Sequence, residues 1–267
     1  MRPKHEWEVQ LAGGDAMLLH EIASHNENTG HFWIWGGIDH YLDCQNDHFS
    51  FCSAYLHDIE GDDDLAWQVA HELLSLFNGA VSMIMPHEHR FRLLAVLKDG
   101  YNTSYVEKRH ASAVLGPLPP SAIRGKDYGD SSIIFTIQAL ACEHQDAYHL
   151  VKLFEQDGGW VSYYKILETI ESYTTKYKLT VPVDEKIKKR LELTANNFSL
   201  SGFDSRHGFK QLVKEIKTPP LTISEAYRFI SRYAQQYLFT RYGKTLKDKP
   251  ASDRVPGSGV THHGSGH

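Results

Sequence analysis

Cysteine is scarce in this chain. Cys44, Cys52 and Cys142 are odd in number, so they cannot all pair, and their spacing matches no metal-binding motif. A disulfide-stapled scaffold is excluded, and reduced thiols are expected. Long apolar runs are missing as well. No stretch approaches the ~18 consecutive apolar residues of a membrane span, and the opening MRPKHEWEVQ has no apolar core of a secretion signal. A cytoplasmic protein with no membrane partner is expected. Fingerprints of nucleotide binding are absent: Gly13-Gly14 belongs to neither G-x-x-x-x-G-K nor G-x-G-x-x-G. There is no nucleophile elbow, no Ser-His-Asp order and no paired-carboxylate motif. Asp62-Asp63-Asp64 lacks the spaced ligands of a cation loop and reads as helix capping. His87-Glu88-His89 lacks a third ligand and reads as a solvated loop. Neither a metal nor a cofactor is expected.

What is present is the composition of an ordinary globular protein. Hydrophobic residues make up 41% and charged residues 23% of 267 positions, enough chain for two modest cores. Pro117, Pro119 and Pro120 concentrate in one stretch, GPLPPSAIRGKDYG, which breaks helices and favours an extended path. The expected organisation is an α+β domain over 1–115, a linker over 116–130, a helical domain over 131–243 and a disordered polar tail over 244–267. The net charge of -5 hides an asymmetry: residues 1–116 carry 7 Lys and Arg against 17 Asp and Glu, and the remainder carries 21 against 16. An acidic front and a basic back are compatible with a nucleic-acid surface on the second half, and equally with mutual attraction of the halves.

In the first half, Glu6 to Ala12 alternates like a strand, and Asp15 can cap a short helix to Ser24. His31 to Cys44 reads as two strands around Gly36-Gly37 or as one strand with a bulge, and Phe49 to Leu56 as another strand. A helix is expected from Asp63 to Phe77, with Leu65, Val69, Leu73, Leu76 and Phe77 on its apolar face and Asn78-Gly79 as its stop. Phe91 to Lys98 reads as a strand, turning at Asp99-Gly100 into another over Thr103 to Arg109. The order fits a small antiparallel or mixed sheet with two helices, a ferredoxin-like arrangement.

In the second half, one long helix is expected from Ser131 to Gln156, with His144 on its buried stripe. Trp160, Tyr163, Tyr164, Leu167, Ile170 and Tyr177 then recur at helical spacing, and this helix is expected to organise the domain. Asp184 caps a basic helix carrying Lys186, Lys188, Lys189 and Arg190, which presents either a solvated face or phosphate contacts. Thr222 and Glu225 form a capping box for the last helix, whose buried face runs from Ile223 through Ala226, Tyr227, Ile230, Ala234, Tyr237 and Leu238.

The candidate site lies where the Trp160–Tyr177 helix meets the loop-like Asn196–Phe209 segment. Lys165 and Glu168, three residues apart, share a helix side, either as a surface ion pair or as the edge of a pocket beside Tyr164. Gly202 and Gly208 bound a turn-rich loop holding Arg206 and His207. Arg206 supplies a planar fork of donors and His207 a group that titrates near neutral pH. The bland alternative is a tie between helices, with Arg206 satisfying carbonyls at a helix C-terminus. Asn197 completes the candidate binding set.

These motifs carry a resemblance. W-x-x-Y-Y-K-x-x-E-x-I, then N-x-x-x-x-x-G-x-x-S-R-H-G, then S-E-A-Y-R-F-I, over about residues 130–242, resembles a pattern of uncharacterised bacterial proteins. The helical half more loosely resembles the HEPN superfamily of four- to five-helix domains. Many of these are metal-independent ribonucleases or nucleotidyltransferase partners in toxin–antitoxin or phage-defence systems. The resemblance implies a four-helix bundle, a bacterial setting, and a protein partner or homodimer, with RNA as a further candidate ligand. The HEPN catalytic signature places a His four to six residues after an Arg. Here His207 follows Arg206 directly and His110 follows Arg109 directly, with no His at the longer spacing. The expectation is therefore a non-enzymatic binding or interaction module using Tyr164, Lys165, Glu168, Asn197, Arg206 and His207. The alternative is a divergent ribonuclease, with His207 as general acid or base, Arg206 on the phosphate and Glu168 beside them.

Overall fold

The computed structural model describes residues 6–24, 32–37, 48–57, 59–86, 90–109, 133–209 and 218–243. The linker at 116–130, the His87-Glu88-His89 triplet and the tail from 244 lie outside them. The protein is α+β. Strands β1 (Trp7–Gly13), β2 (Phe32–Gly37), β3 (His48–Ser53), β4 (Phe91–Lys98) and β5 (Tyr101–Asn102) form one antiparallel sheet in the order β2-β3-β1-β4-β5. Helix α1 (Ala16–Ser24) follows β1, capped by Asp15 as expected. A short α2 (Ala54–His57) follows β3, and α3 (Asp63–Ile84) precedes β4. Among the described residues no helix is long and apolar enough to cross a membrane.

Alternation along β1 puts Trp7, Val9 and Leu11 on one face, in register with Phe51 and Val96 through Val9. A bulge between Gln10 and Leu11 leaves Leu94 of β4 without a partner position, so that leucine turns outward and is largely exposed. The expected strand over Phe49 to Leu56 stops at Ser53, where Ala54–His57 coils into α2. The expected strand over Thr103 to Arg109 forms no ladder beyond Asn102. That segment is instead tied to α3 by side chains: Trp67 Nε1 donates to Thr103 Oγ1, Gln68 spans Glu107 O and Arg109 N, and His71 meets Val106 O.

Helix α3 is the true organiser, displacing the Trp160–Tyr177 helix from that role. Every residue from 66 to 83 except His71 is buried, while Leu65, expected inside, is exposed. Its N-terminus is capped by Asp62 as expected. Its predicted stop at Asn78-Gly79 does not exist, because both residues act in packing. Asn78 mimics a strand neighbour by bonding both backbone groups of Phe91. Gly79 permits a close helix approach, where an added Cβ would meet Val151 O at 2.1 Å.

The second half contributes α4 (Ile133–Glu143), α5 (Gln145–Glu155), α6 (Trp160–Lys176), α7 (Glu185–Ala195), α8 (Phe198–Ser201) and α9 (Ile223–Tyr242). The single helix expected over 131–156 is two helices. His144 between them is extended (φ -128°, ψ 124°), partly exposed and stacked on Tyr242 at 4.5 Å, rather than part of a buried stripe. Asp184 caps α7, and the Thr222–Glu225 capping box opens α9, both as expected. Ile223 is the exception on the α9 face, half-exposed in its first turn. One hydrophobic cluster runs from Trp7 through α3 to Tyr242, so both halves share a core. Its bridge is a set of rings: Phe32 meets Phe51 at 4.7 Å and Phe77 at 5.7 Å, and Phe77 stacks on Phe135 at 6.1 Å.

Candidate functional site

Three of the six site residues converge. Tyr164 and Glu168 lie one turn apart on α6, and Arg206 reaches both: its guanidinium sits 4.4 Å from the Tyr164 ring centroid and 3.2 Å from Glu168 Oε1. Glu168 pairs with Arg206 rather than with Lys165, which is exposed and joins no ion pair among the described residues. The backbone N–H of Arg206 donates to Ala195 O at 2.8 Å, satisfying a carbonyl at the C-terminus of α7. The tie between helices is therefore real, but the main chain makes it and the guanidinium stays available to α6.

His207 does not join this set. It is exposed, and its backbone N–H donates to Ser205 Oγ at 3.3 Å. Asn197 is the N-cap of α8, accepting from Ser199 N at 3.2 Å. The Asn196–Phe209 segment is thus less loop-like than expected: α8 and a 3₁₀ turn over Gly202–Asp204 order it, with Gly202 in the left-handed region at φ 63°.

Beside this segment lies an open groove of about 700 Å³ along α7. Lys186, Lys189 and Arg190 line it together with Asn196, Asn197 and Thr218, against one acidic residue, Glu192. The four cations of α7 divide by task. Lys188 pairs with Glu171 of α6, which raises its pKa above the ordinary lysine value. Arg190 donates to Pro219 O and Pro220 O, fixing the chain into α9. Lys186 and Lys189 are exposed and pair with no acid among the described residues. Asn196 Oδ1 is buried with no hydrogen-bond partner among the described residues. A buried carboxamide oxygen left unpaired costs about 1–3 kcal/mol.

The aromatic side chains here escaped the sequence reading. Phe203 is 97% exposed and Phe209 72% exposed, each packed edge-on to Phe198 at 5.4 and 5.7 Å. The signal was available: Phe198, Phe203 and Phe209 sit among Ser, Gly and Asp without helical spacing, so no apolar stripe claims them.

Other chemistry-bearing groups are structural. Glu72, nearly buried on α3, accepts from Tyr148 at 2.8 Å and Lys152 at 3.1 Å. Burial is the main reason the Tyr148 hydroxyl is held well above its ordinary pKa, helped by its bond to Glu72. Cys52 Sγ lies 3.5 Å from His57 Nε2, but burial pushes that thiol up to about 12 and keeps it protonated. Among the described residues no three His, Cys, Asp or Glu gather as a metal-ligand set. The chain matches no protein-family model, and no curated protein or solved structure is significantly similar to it.

Proposed function

We propose that this chain is a non-catalytic binding module that docks an anionic partner on the face formed by α6, α7 and α8. The observation that carries the reading is the division of cations. Lys186 and Lys189 face an open groove without acidic partners, while Arg206 is committed to Glu168 and Tyr164. A ribonuclease would need His207 held near a partner that sets its protonation. Its ring makes no hydrogen bond among the described residues, which favours binding over chemistry. The sheet order β2-β3-β1-β4, with helices after β1 and β3, supports the ferredoxin-like arrangement of the first half. The looser HEPN-like reading of the second half, and with it a bacterial cytoplasmic setting of the defence or toxin–antitoxin kind, rests on the sequence resemblance alone.

Isothermal titration with heparin, a generic polyanion, tests the reading. Wild type binds with an affinity that falls as salt rises. The Lys186→Glu/Lys189→Glu variant melts at the wild-type temperature and loses most of that binding. No binding at low salt would overturn the reading. So would cleavage of labelled RNA by wild type that disappears in His207→Ala.

A further inference from the structure

We infer that the face of α3 beneath residues 104–109 is a peptide-docking site, filled in cis by its own chain. Its partner is an extended polypeptide segment with an aromatic residue, a small aliphatic residue next to it and an arginine three residues further on. The site uses other residues than the α7 groove and stands whether or not that groove binds anions.

The receptor side is one stripe of α3. Asp64, Trp67, Gln68 and His71 follow at the three- and four-residue steps of a single helix face. The segment seated on it is bound as a ligand would be. Tyr105 packs edge-on to Trp67 at 5.0 Å and to His71 at 6.3 Å between ring centroids. His71 Nε2 donates to Val106 O at 2.9 Å. Gln68, 7% exposed, uses both ends of its carboxamide: Nε2 donates to Glu107 O and Oε1 accepts from Arg109 N, each at 2.9 Å. A carbonyl and the N–H two residues on are the pair that a parallel strand would engage, so Gln68 stands in for a strand. Arg109 then reaches Asp64 Oδ1 at 2.7 Å. Three of these contacts read main chain, which every extended segment presents. Two read side chains, the Tyr105 ring and the Arg109 guanidinium, and these select the segment.

The two sides differ in how firmly they are held. Trp67 and Gln68 are buried on the helix that carries Leu73, Leu76 and Phe77 into the core. Of residues 104–109 only Val106 is not exposed. No ladder extends the sheet to them, and among the described residues their hydrogen bonds run to α3 side chains. Thr103 anchors the start of the segment, bonding Val96 O through both its N–H and its hydroxyl. A short exposed segment over a packed face opens locally at far less cost than the fold itself. A helical partner would not fit the open face, because its N–H and C=O groups are spent within the helix.

The experiment is fluorescence anisotropy with fluorescein-labelled SYVEKR-amide, the sequence of residues 104–109. Wild type binds it weakly, because its own segment competes. Tyr105→Ala/Arg109→Ala weakens the competitor and leaves α3 intact, so the peptide binds about tenfold tighter or more. Amide exchange over residues 104–109 quickens in that variant, and its melting curve matches wild type because both side chains are exposed. N-methylation of the peptide's arginine N–H removes the group that Gln68 accepts from and costs most of the binding, with the protein unchanged. A scrambled peptide does not bind.

If the loosened variant binds no peptide, or binds the scrambled or N-methylated peptide equally well, the inference falls and residues 104–109 are a fixed part of the fold. It falls too if exchange over 104–109 stays slow in that variant, or if wild type binds the peptide as tightly as the variant does.

Discussion

The hydroxyl of Tyr237 donates to Asp146 Oδ2 at 2.5 Å in the interior of the protein, across 91 residues of chain. Tyr242 donates to the other carboxylate oxygen at 2.6 Å, and Arg241 stands 3.9 Å away, stacked on Tyr177. Asp146 is 1% exposed in the first turn of α5, and these donors satisfy both of its buried carboxylate oxygens. Burial pushes both tyrosines well above their ordinary pKa, and the neighbouring carboxylate adds to the shift, so they remain donors. The cluster pins the end of α9 to the break between α4 and α5. Asp146→Ala leaves two hydroxyls unpaired and is expected to destabilise by about 3 kcal/mol. Tyr237→Phe should lose about 1.5–3 kcal/mol, the worth of one bond to a charged group. Urea denaturation measures both, and a loss under half of either figure would show the cluster to be dispensable.

Gly79→Ala gives a test of sign. In a solvent-exposed helix the change would stabilise by about 0.8–1 kcal/mol. Here the new Cβ would press on Val151 O at 2.1 Å and on Val151 Cγ1 at 2.8 Å, so α3 and α5 must move apart. The expected outcome is a loss of about 2 kcal/mol or more, typical of overpacking. A raised melting temperature would refute the close-approach account.

Asn78→Asp keeps the size and reverses one bond. The carboxylate still accepts from Phe91 N but can no longer donate to Phe91 O. With Asn78 buried, the unpaired carbonyl and a desolvated charge should together lower stability by about 2–4 kcal/mol. Hydrogen exchange at the Phe91 amide should quicken. Unchanged protection would mean that Asn78 does not hold the start of β4.

Arg206→Ala should barely change folding. The guanidinium and Glu168 are both substantially exposed, 35% and 47% by side chain, so their pair and the ring contact together contribute about 1 kcal/mol at most. The backbone bond to Ala195 O survives the substitution. A melting temperature within a few degrees of wild type is expected. A collapse in stability would make Arg206 a structural residue.

Alkaline pH should weaken the fold through groups that burial keeps protonated. The Cys52 and Cys142 thiols rise from 9.0 to about 12 and Tyr163 from 10.0 to about 12, each chiefly by desolvation. In the unfolded chain these groups ionise at their ordinary values while the folded chain holds the proton. Their contribution to stability is therefore complete below about pH 9 and is lost progressively as pH rises from 9 towards 12. In a Cys44→Ser/Cys142→Ser background, the buried Cys52 thiol should not react with iodoacetamide at pH 8 until urea unfolds the protein. Rapid labelling of the folded form would contradict its burial.

Much of the local structure was legible from residue order. Asp15, Asp62, Asp184 and the Thr222–Glu225 box each cap the helix they were expected to cap, because a cap is made within four residues of chain. The α+β class and the alternation of β1 followed from periodicity in the same way. Lys186 and Lys189 could be recognised as basic, and Arg206 with Glu168 could be named as partners in one site.

What residue order could not decide were contacts made across the chain. Asn78-Gly79 carries the local signature of a helix stop, yet α3 runs through it, because Phe91 and Val151 from distant segments take up the side chain and the space. Residues 131–156 read as one periodic helix, yet the chain breaks at His144, where Tyr237 and Tyr242 converge on Asp146. Thr103 to Arg109 reads as a strand, yet Trp67, Gln68 and His71 of α3 take its hydrogen bonds. The contacts of Phe203 and Phe209 with Phe198 likewise exist only after folding. The sequence by itself determined the caps, the periods and the charge of each element, which depend on neighbours a few residues away. The tertiary structure decided which helix lies at the centre, where helices break and which side chains meet at the site, since those depend on packing between segments that residue order does not bring together.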